Sequence, residues 1–452
     1  MYVIVIGAGE VGYNIAQRLS EENHDVAVVD ADDSRLQRCR DLLDVLTVTG
    51  SGSQEATLRQ AGVDRARMLI AVTDCDEVNI VACLIARSLG VDRRIARVIG
   101  AGPGVQGTTL TSEDFGINHM INPNEETVRE IINLLHYSSA SEVVEYADGR
   151  LTLFEVAVAD GAPMIGKDLR ELVRDDEEQR SYLIVAIQRA GSTLVPHGDD
   201  QIEAGDRITV ICRREAIRNV TFLAGQKDSK INNVMIMGGG ELGLNLARRL
   251  EEEKVSPIII EKARSRCAYL NEVLEKTLVL QGDGTDIQLL TSEGVDTMDA
   301  FIPLTPDEEN NIVSSLMARH HGCRKVITLI RRPDYVSIMP TIGLDAAVSK
   351  RLSTVSGILR FVRRGSILSV TLFKDTDAEV IEMRPSTGSV MVNRPLHRIK
   401  FPPNALVGAV IRGDNEVTEV EVASGNTIIR PGDRAIVFAR KKAVRKVEDL
   451  FG

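Results

Sequence analysis

Apolar residues along this chain fall in short runs, separated by longer stretches of helical period. Tyr2 to Ile6 is an almost unbroken apolar run, as a strand buried on both faces requires. Val11, Ile15, Ala16 and Leu19 then recur at helical spacing. Val26 to Val29, Val45 to Val48, Met68 to Val72 and Ile95 to Ile99 read as further strands, and Ile80 to Leu89 as a helix. Strands alternating with helices predict a doubly wound parallel α/β sheet. The next stretch reads differently. Glu142 to Asp160 alternates loosely, a short helix runs to Val173, and Leu183 to Ile187 and Arg207 to Cys212 read as strands.

The whole pattern then returns. Val3-Ile4-Val5-Ile6-Gly7-Ala8-Gly9-Glu10-Val11-Gly12 reappears as Val234-Met235-Ile236-Met237-Gly238-Gly239-Gly240-Glu241-Leu242-Gly243, 231 residues on. Further along the offset is 232, where Thr73, Glu77 and Asn79 match Thr305, Glu309 and Asn311. Gly205-Asp206-Arg207 returns as Gly432-Asp433-Arg434. The predicted architecture is two tandem repeats. Each is a Rossmann-like doubly wound parallel sheet followed by a small strand-rich α+β domain. The division is 1–138, 139–224, a linker at 225–231, 232–365 and 366–452. In the last part Ile367 to Leu372 and Ala405 to Ile411 are strand candidates.

Gly7-x-Gly9-x-x-Gly12 carries the chemistry. It follows a strand, opens a helix and precedes an acid, Asp30, about 20 residues on, which together make a dinucleotide fingerprint. Gly7 permits the turn, Gly9 lets a pyrophosphate approach the backbone, and Gly12 allows close packing of helix on strand. The N–H groups of Glu10 and Val11 open the helix and face the phosphates. Asp30 accepts from ribose hydroxyls and repels a 2′-phosphate, which favours NAD over NADP. Gly238, Gly240, Glu241, Leu242, Gly243 and Glu261 repeat the arrangement. Ser51 and Gly52, with Gly282 and Asp283 in the second copy, lie past the third strand of each sheet. They are placed on the adenine side, with a plain turn as the alternative. Thr73 and Thr305 follow the fourth strands, where a hydroxyl meets a ligand or caps the next helix. Asp74 is replaced by Pro306, so the two lips differ, and Asp283 should disfavour a third phosphate at the second site. The first copy is therefore expected to discriminate ATP from NADH more strongly.

Composition narrows the functions. Lys and Arg number 54 against 65 Asp and Glu, and there is no Trp, which argues against a nucleic-acid coat. No run approaches a membrane span, the opening residues read as a strand and not a leader, and the six cysteines form no Cys-x-x-Cys. The cysteines read as reduced core thiols of a cytosolic protein. Seven histidines lie outside any acid–base pattern; His119 is the best candidate among them. A nucleotide site without catalytic equipment points to a sensor, with a soluble NAD-dependent oxidoreductase as the alternative. Thr127 to Leu135 and Val348 to Val362 carry apolar faces suited to crossing over onto a neighbouring copy. Arg351, Arg360, Arg363 and Arg364 make the second of these regions basic.

The duplicated Gly-x-Gly-x-x-Gly openings, each with a small strand-rich part behind, resemble the TrkA-type subunit of potassium uptake systems, with its two tandem regulator-of-potassium-conductance modules. The resemblance covers essentially the whole chain. Gly282-Asp283-x-Thr285 also matches the family's loop, whereas Gly50-Ser51-Gly52-Ser53 departs from it. The resemblance implies a cytoplasmic protein, peripheral on the inner membrane. It implies a homo-oligomeric, tetrameric ring under an integral potassium-translocating subunit (TrkH/TrkG-like). It further implies that NAD(H) or ATP and ADP bound at the two sites gate the pore.

Overall fold

The computed structural model describes residues 1–21, 24–100, 111–137, 139–173, 180–226, 230–339, 341–362, 367–372, 378–413 and 419–452. The first repeat opens with strands β1 (Tyr2–Ile6), β2 (Asp25–Asp30), β3 (Leu46–Thr49), β4 (Met68–Ala71), β5 (Arg93–Arg97) and β6 (His119–Ile121). Between and after them run α1 (Glu10–Glu21), α2 (Asp33–Leu42), α3 (Glu55–Gln60), α4 (Asp76–Ser88) and α5 (Pro123–His136). The small part holds β7 (Ala140–Tyr146), β8 (Leu151–Ala157), α6 (Leu169–Val173), β9 (Tyr182–Arg189), β10 (Ser192–Leu194), β11 (Arg207–Arg213) and α7 (Ile217–Leu223). The second repeat has β12 (Val234–Met237), β13 (Ile258–Glu261), β14 (Leu278–Gln281), β15 (Ala300–Pro303), β16 (Lys325–Leu329) and β17 (Ala346–Val348). Its helices are α8 (Glu241–Glu252), α9 (Arg264–Val273), α10 (Ile287–Ser292), α11 (Glu308–His320) and α12 (Lys350–Val362). The chain ends with β18 (Ile367–Leu372), β19 (Ala378–Met383), β20 (Ala405–Arg412), β21 (Glu419–Val422), β22 (Arg434–Arg440) and α13 (Lys441–Phe451).

Two compact units result, and they do not follow the repeat. One contains residues 1–128 with 349–362; the other contains 129–348 with 363–452. In the first unit the parallel sheet has the order β3-β2-β1-β4-β5-β6. The order reverses between β1 and β4, so the two loops that leave their carboxyl ends part and open a crevice there. Val3, Ile4 and Val5 are fully buried, because α1 and α4 and their neighbours cover both faces of the sheet.

In the second unit an equivalent parallel sheet runs β14-β13-β12-β15-β16-β17. Two antiparallel sheets, β10-β9-β11-β8-β7 and β18-β19-β22-β20-β21, accompany it. They share a core in which Leu151, Leu153 and Val185 meet Val380, Ile411 and Phe438. The loose alternation from Glu142 to Asp160 resolves into the hairpin of β7 and β8, turning at Ala147, Asp148 and Gly149 with positive φ. β8 is buried on both faces from Leu151 to Val156, which is why its alternation is weak.

The apolar faces of the crossing helices are buried within this chain. α12 joins the first unit and packs against α1. In α5, Ile131 and Leu134 are buried. Each C-terminus meets a cation placed at the start of a fifth strand. Lys325 of β16 is itself buried, and its Nζ donates to the carbonyls of Leu134, Tyr137 and Ala140 at 2.7, 3.1 and 2.8 Å. Its repeat counterpart Arg93 of β5 donates to the Phe361 carbonyl at 3.2 Å. A cation there satisfies orphan carbonyls and complements the helix dipole. His119 stacks on the Phe361 ring, which gives it a packing role. Arg363 and Arg364 lie outside the described residues.

Among the described residues no helix is long and apolar enough to cross a membrane. All six cysteines are free thiols, and five are buried; Cys75 is the exposed one. Burial pushes the Cys83 and Cys323 thiols up to about 12, which leaves them inert.

Candidate functional site

The β1–α1 loop is held by its glycines. Gly7 has φ 101°, Gly238 in the second repeat 105°, a left-handed backbone that favours glycine. Gly7 N–H donates to the Val29 carbonyl at 2.8 Å, and Gly238 N–H to the Ile260 carbonyl at 2.9 Å. A Cβ on Gly12 would collide with the carbonyl oxygen of Gly7, and one on Gly243 with that of Gly238. Around Gly9 and Gly240 the opposite holds: a Cβ there would meet nothing within 4 Å. The structure thus places an open approach over the middle glycine in both copies. Val11 and Leu242 bury their side chains, so what they offer at the helix start is backbone N–H.

The acids organise the same loops. Asp30 ends β2 and is 8% exposed; its Oδ2 accepts Ala8 N–H at 2.6 Å and its Oδ1 accepts Asp32 N–H at 2.8 Å. Glu261 accepts Gly239 N–H at 2.8 Å and Ala263 N–H at 2.7 Å. Each carboxylate keeps lone pairs for a ribose while it ties the glycine loop to the second strand. Glu10 is paired with Arg38 at 2.9 Å, and Glu241 with Arg266 at 2.9 Å. The two arginines occupy different turns of α2 and α9 yet reach the equivalent glutamate of each repeat.

At the opposite lip, Thr73 donates its hydroxyl proton to Asn79 Oδ1 at 2.7 Å, and Thr305 donates to Asn311 Oδ1 at 2.7 Å. Their hydroxyls also accept N–H from Cys75 and Asp307, at 3.3 Å each, in the manner of a helix cap. The proton is therefore committed within the chain, and what remains is acceptor capacity for a ribose hydroxyl. Gly52 and its counterpart Gly284 serve packing, since a Cβ there would strike Ile6 or Met237. Gly282 similarly abuts Leu289. Ser51 Oγ lies 2.8 Å from Ser53 Oγ.

Asp30 sits in a buried hydrogen-bonded position, so its loss reaches the loop as well as any ligand. One expectation is corrected. Asp283 is not an uncompensated charge: Lys262 Nζ lies 2.9 Å away and holds its carboxyl down at about 2. Repulsion of a third phosphate by Asp283 therefore loses its basis.

Asn79 and Asn311 are buried structural positions at this lip that spacing did not single out. Asn79 is fully buried; its Nδ2 donates to the carbonyls of Thr73 at 3.0 Å and Arg97 at 2.8 Å, and its Oδ1 accepts Thr73 N–H at 2.9 Å. Asn311 repeats this with Thr305 and Leu329. The available signal was a polar residue kept at the same place in both copies of an apolar helix. Asn79→Leu is expected to cost about 2–4 kcal/mol, because it orphans several buried backbone groups at once. Denaturant unfolding measures this, and a loss below 1 kcal/mol would count against the network.

Among the described residues no group of three or more His, Cys, Asp or Glu is placed to hold a metal ion. Two duplicated crevices of this kind, each on a 3-2-1-4-5-6 sheet, define a tandem Rossmann-type nucleotide-binding protein. TrkA-N domain models match residues 3–123 and 234–350, and TrkA-C domain models match 153–223 and 380–452. The chain belongs to the TrkA family of Trk-system potassium uptake regulatory subunits, with tandem TrkA-N and TrkA-C modules. It is 36% identical to Trk system potassium uptake protein TrkA of Halomonas elongata, over 100% of this chain and 98% of that one. It is 34% identical to TrkA homolog 1 of Methanosarcina mazei, over 100% of both. The fold resembles the crystal structure of the GsuK RCK domain, with TM-score 0.58 and 20% identity over 100% of this chain and 94% of that one. It also resembles the GsuK channel bound to NAD, with TM-score 0.59 and 20% identity over 100% and 78%.

Proposed function

We propose that both crevices bind NAD(H) or the adenine nucleotides ATP and ADP, and that their occupancy gates an integral potassium-translocating subunit. The chain acts as a regulatory ring, homo-oligomeric and tetrameric, peripheral on the cytoplasmic face of the membrane. The observation that carries this reading is the repeated pairing of a glycine loop with an acid. Asp30 accepts from Ala8 and Glu261 from Gly239, each beside an open middle glycine. The names of the relatives, all Trk potassium uptake proteins, and the NAD-bound channel of similar fold support the ligand and the partner. Gly7, Gly9, Gly12, Asp30, Ser51, Thr73 and Asp74 frame the first site. Gly238, Gly240, Gly243, Glu261, Asp283 and Thr305 frame the second.

A nucleotide biases the assembly only through different affinities for two arrangements. Potassium current through the co-purified membrane complex should therefore respond to NADH and ATP. Current indifferent to both ligands, in a complex that binds them, would refute the gating role.

A further inference from the structure

The two crevices share a framework and differ in one chemical respect at the end of the fifth strand. Asn79 grips the Arg97 carbonyl at 2.8 Å, and Asn311 grips the Leu329 carbonyl at 3.1 Å, so the two residues hold equivalent backbone positions. Arg97 is a cation with its side chain 12% exposed; Leu329 is buried and apolar. Arg97 Nη2 donates to Asp74 at 2.7 Å, and its Nε is buried without an acceptor among the described residues. Asp74 is 77% exposed, and the second crevice has Pro306 in its place. A fixed cation is thus paired with a solvated anion at this position of the first crevice, where the second has Leu329 and Pro306.

We propose that Arg97 is a specificity-determining residue. It directs the first crevice toward nucleotides that end in a phosphate, while Leu329 leaves the second to the dinucleotide. This rests on the nucleotide reading of both crevices. Asp30 lies at the adenosine end, beyond β1, whereas β4 and β5 lie on the far side of the switch point. A ligand lying across the crevice places its other end over β4 and β5. That end is a terminal phosphate in ADP and ATP and a nicotinamide riboside in NADH. A guanidinium binds phosphate through two parallel N–H donors, and Arg97 has donors to spare. The exposed Asp74 partner is held weakly and yields to a doubly charged phosphate. Leu329 offers the nicotinamide ring an apolar wall and gives a phosphate nothing.

The test is calorimetric titration of the full chain with ADP and with NADH. Isolated halves do not serve, because α12 belongs with the first unit. In Arg97→Leu one of the two ADP sites should weaken about tenfold, the loss of a charge-assisted bond, while NADH affinity stays within about threefold. Asp74→Ala, at an exposed position, should strengthen ADP binding at one site by removing the competitor. ADP and NADH affinities that fall together in Arg97→Leu, or do not change, overturn the inference and leave the nucleotide reading standing. Wild-type chain that binds neither ligand overturns both. If Arg97→Leu does not fold, Asp74→Ala decides, and unchanged ADP affinity in that variant refutes the proposal.

Discussion

Gly12→Ala is expected to empty the first crevice and to destabilise the chain by about 3 kcal/mol. The added methyl has nowhere to go. It would overlap the Gly7 carbonyl oxygen, and Gly7 cannot retreat, because its φ is 101° and its N–H is bonded to Val29. The loop must open or α1 must lift, and either movement displaces the N–H groups at the helix start that are proposed to face the ligand. Gly9→Ala is the internal contrast. Nothing lies within 4 Å of its Cβ, so stability should hold while ligand approach suffers. Unfolding curves with NADH titrations measure both. A Gly12→Ala chain with unaltered stability and unaltered binding stoichiometry would remove the loop from the site.

Asp30→Ala should lower NADH affinity at the first site by about 100-fold, the loss of two charge-assisted hydrogen bonds to the ribose. It should also cost about 1–3 kcal/mol of stability, because the N–H of Ala8, buried against the carboxylate at 2.6 Å, is left without an acceptor. Asp30→Asn separates the two effects. Its amide oxygen satisfies one of the two N–H donors and its NH2 faces the other, so part of the stability loss remains. Equal NADH affinity in wild type and Asp30→Ala would show that the acid serves the loop alone.

Much of this site was legible because its parts are local. The glycine loop, the following helix and the acid at the end of β2 lie within 30 residues, and their spacing encodes their contacts. The repeat made the second site visible by the same signs. What sequence did not reveal depends on strands brought together from afar. Arg97 meets Asp74 only because β5 lies beside β4, and Lys262 reaches Asp283 only because β13 lies beside β14. Asn79 was visible as a repeated residue, but its bonds to Thr73 and Arg97 emerge only when α4 closes over the sheet. The apolar faces of α5 and α12 were legible as crossing helices. Their cover was not, because apolar surface does not state whether a neighbouring copy or the other half of the same chain will meet it. Lys325 and Arg93, which hold the C-termini of those helices, carry no local signal at all.

The most direct measurement counts nucleotide sites on the full chain and assigns them. Wild-type protein titrated with NADH should bind two molecules per chain, Gly12→Ala one, Gly243→Ala one, and the double variant none. Binding that persists in the double variant, or a wild-type chain that takes up no nucleotide, would contradict the assignment of the two duplicated crevices as the sites through which this protein senses its ligand.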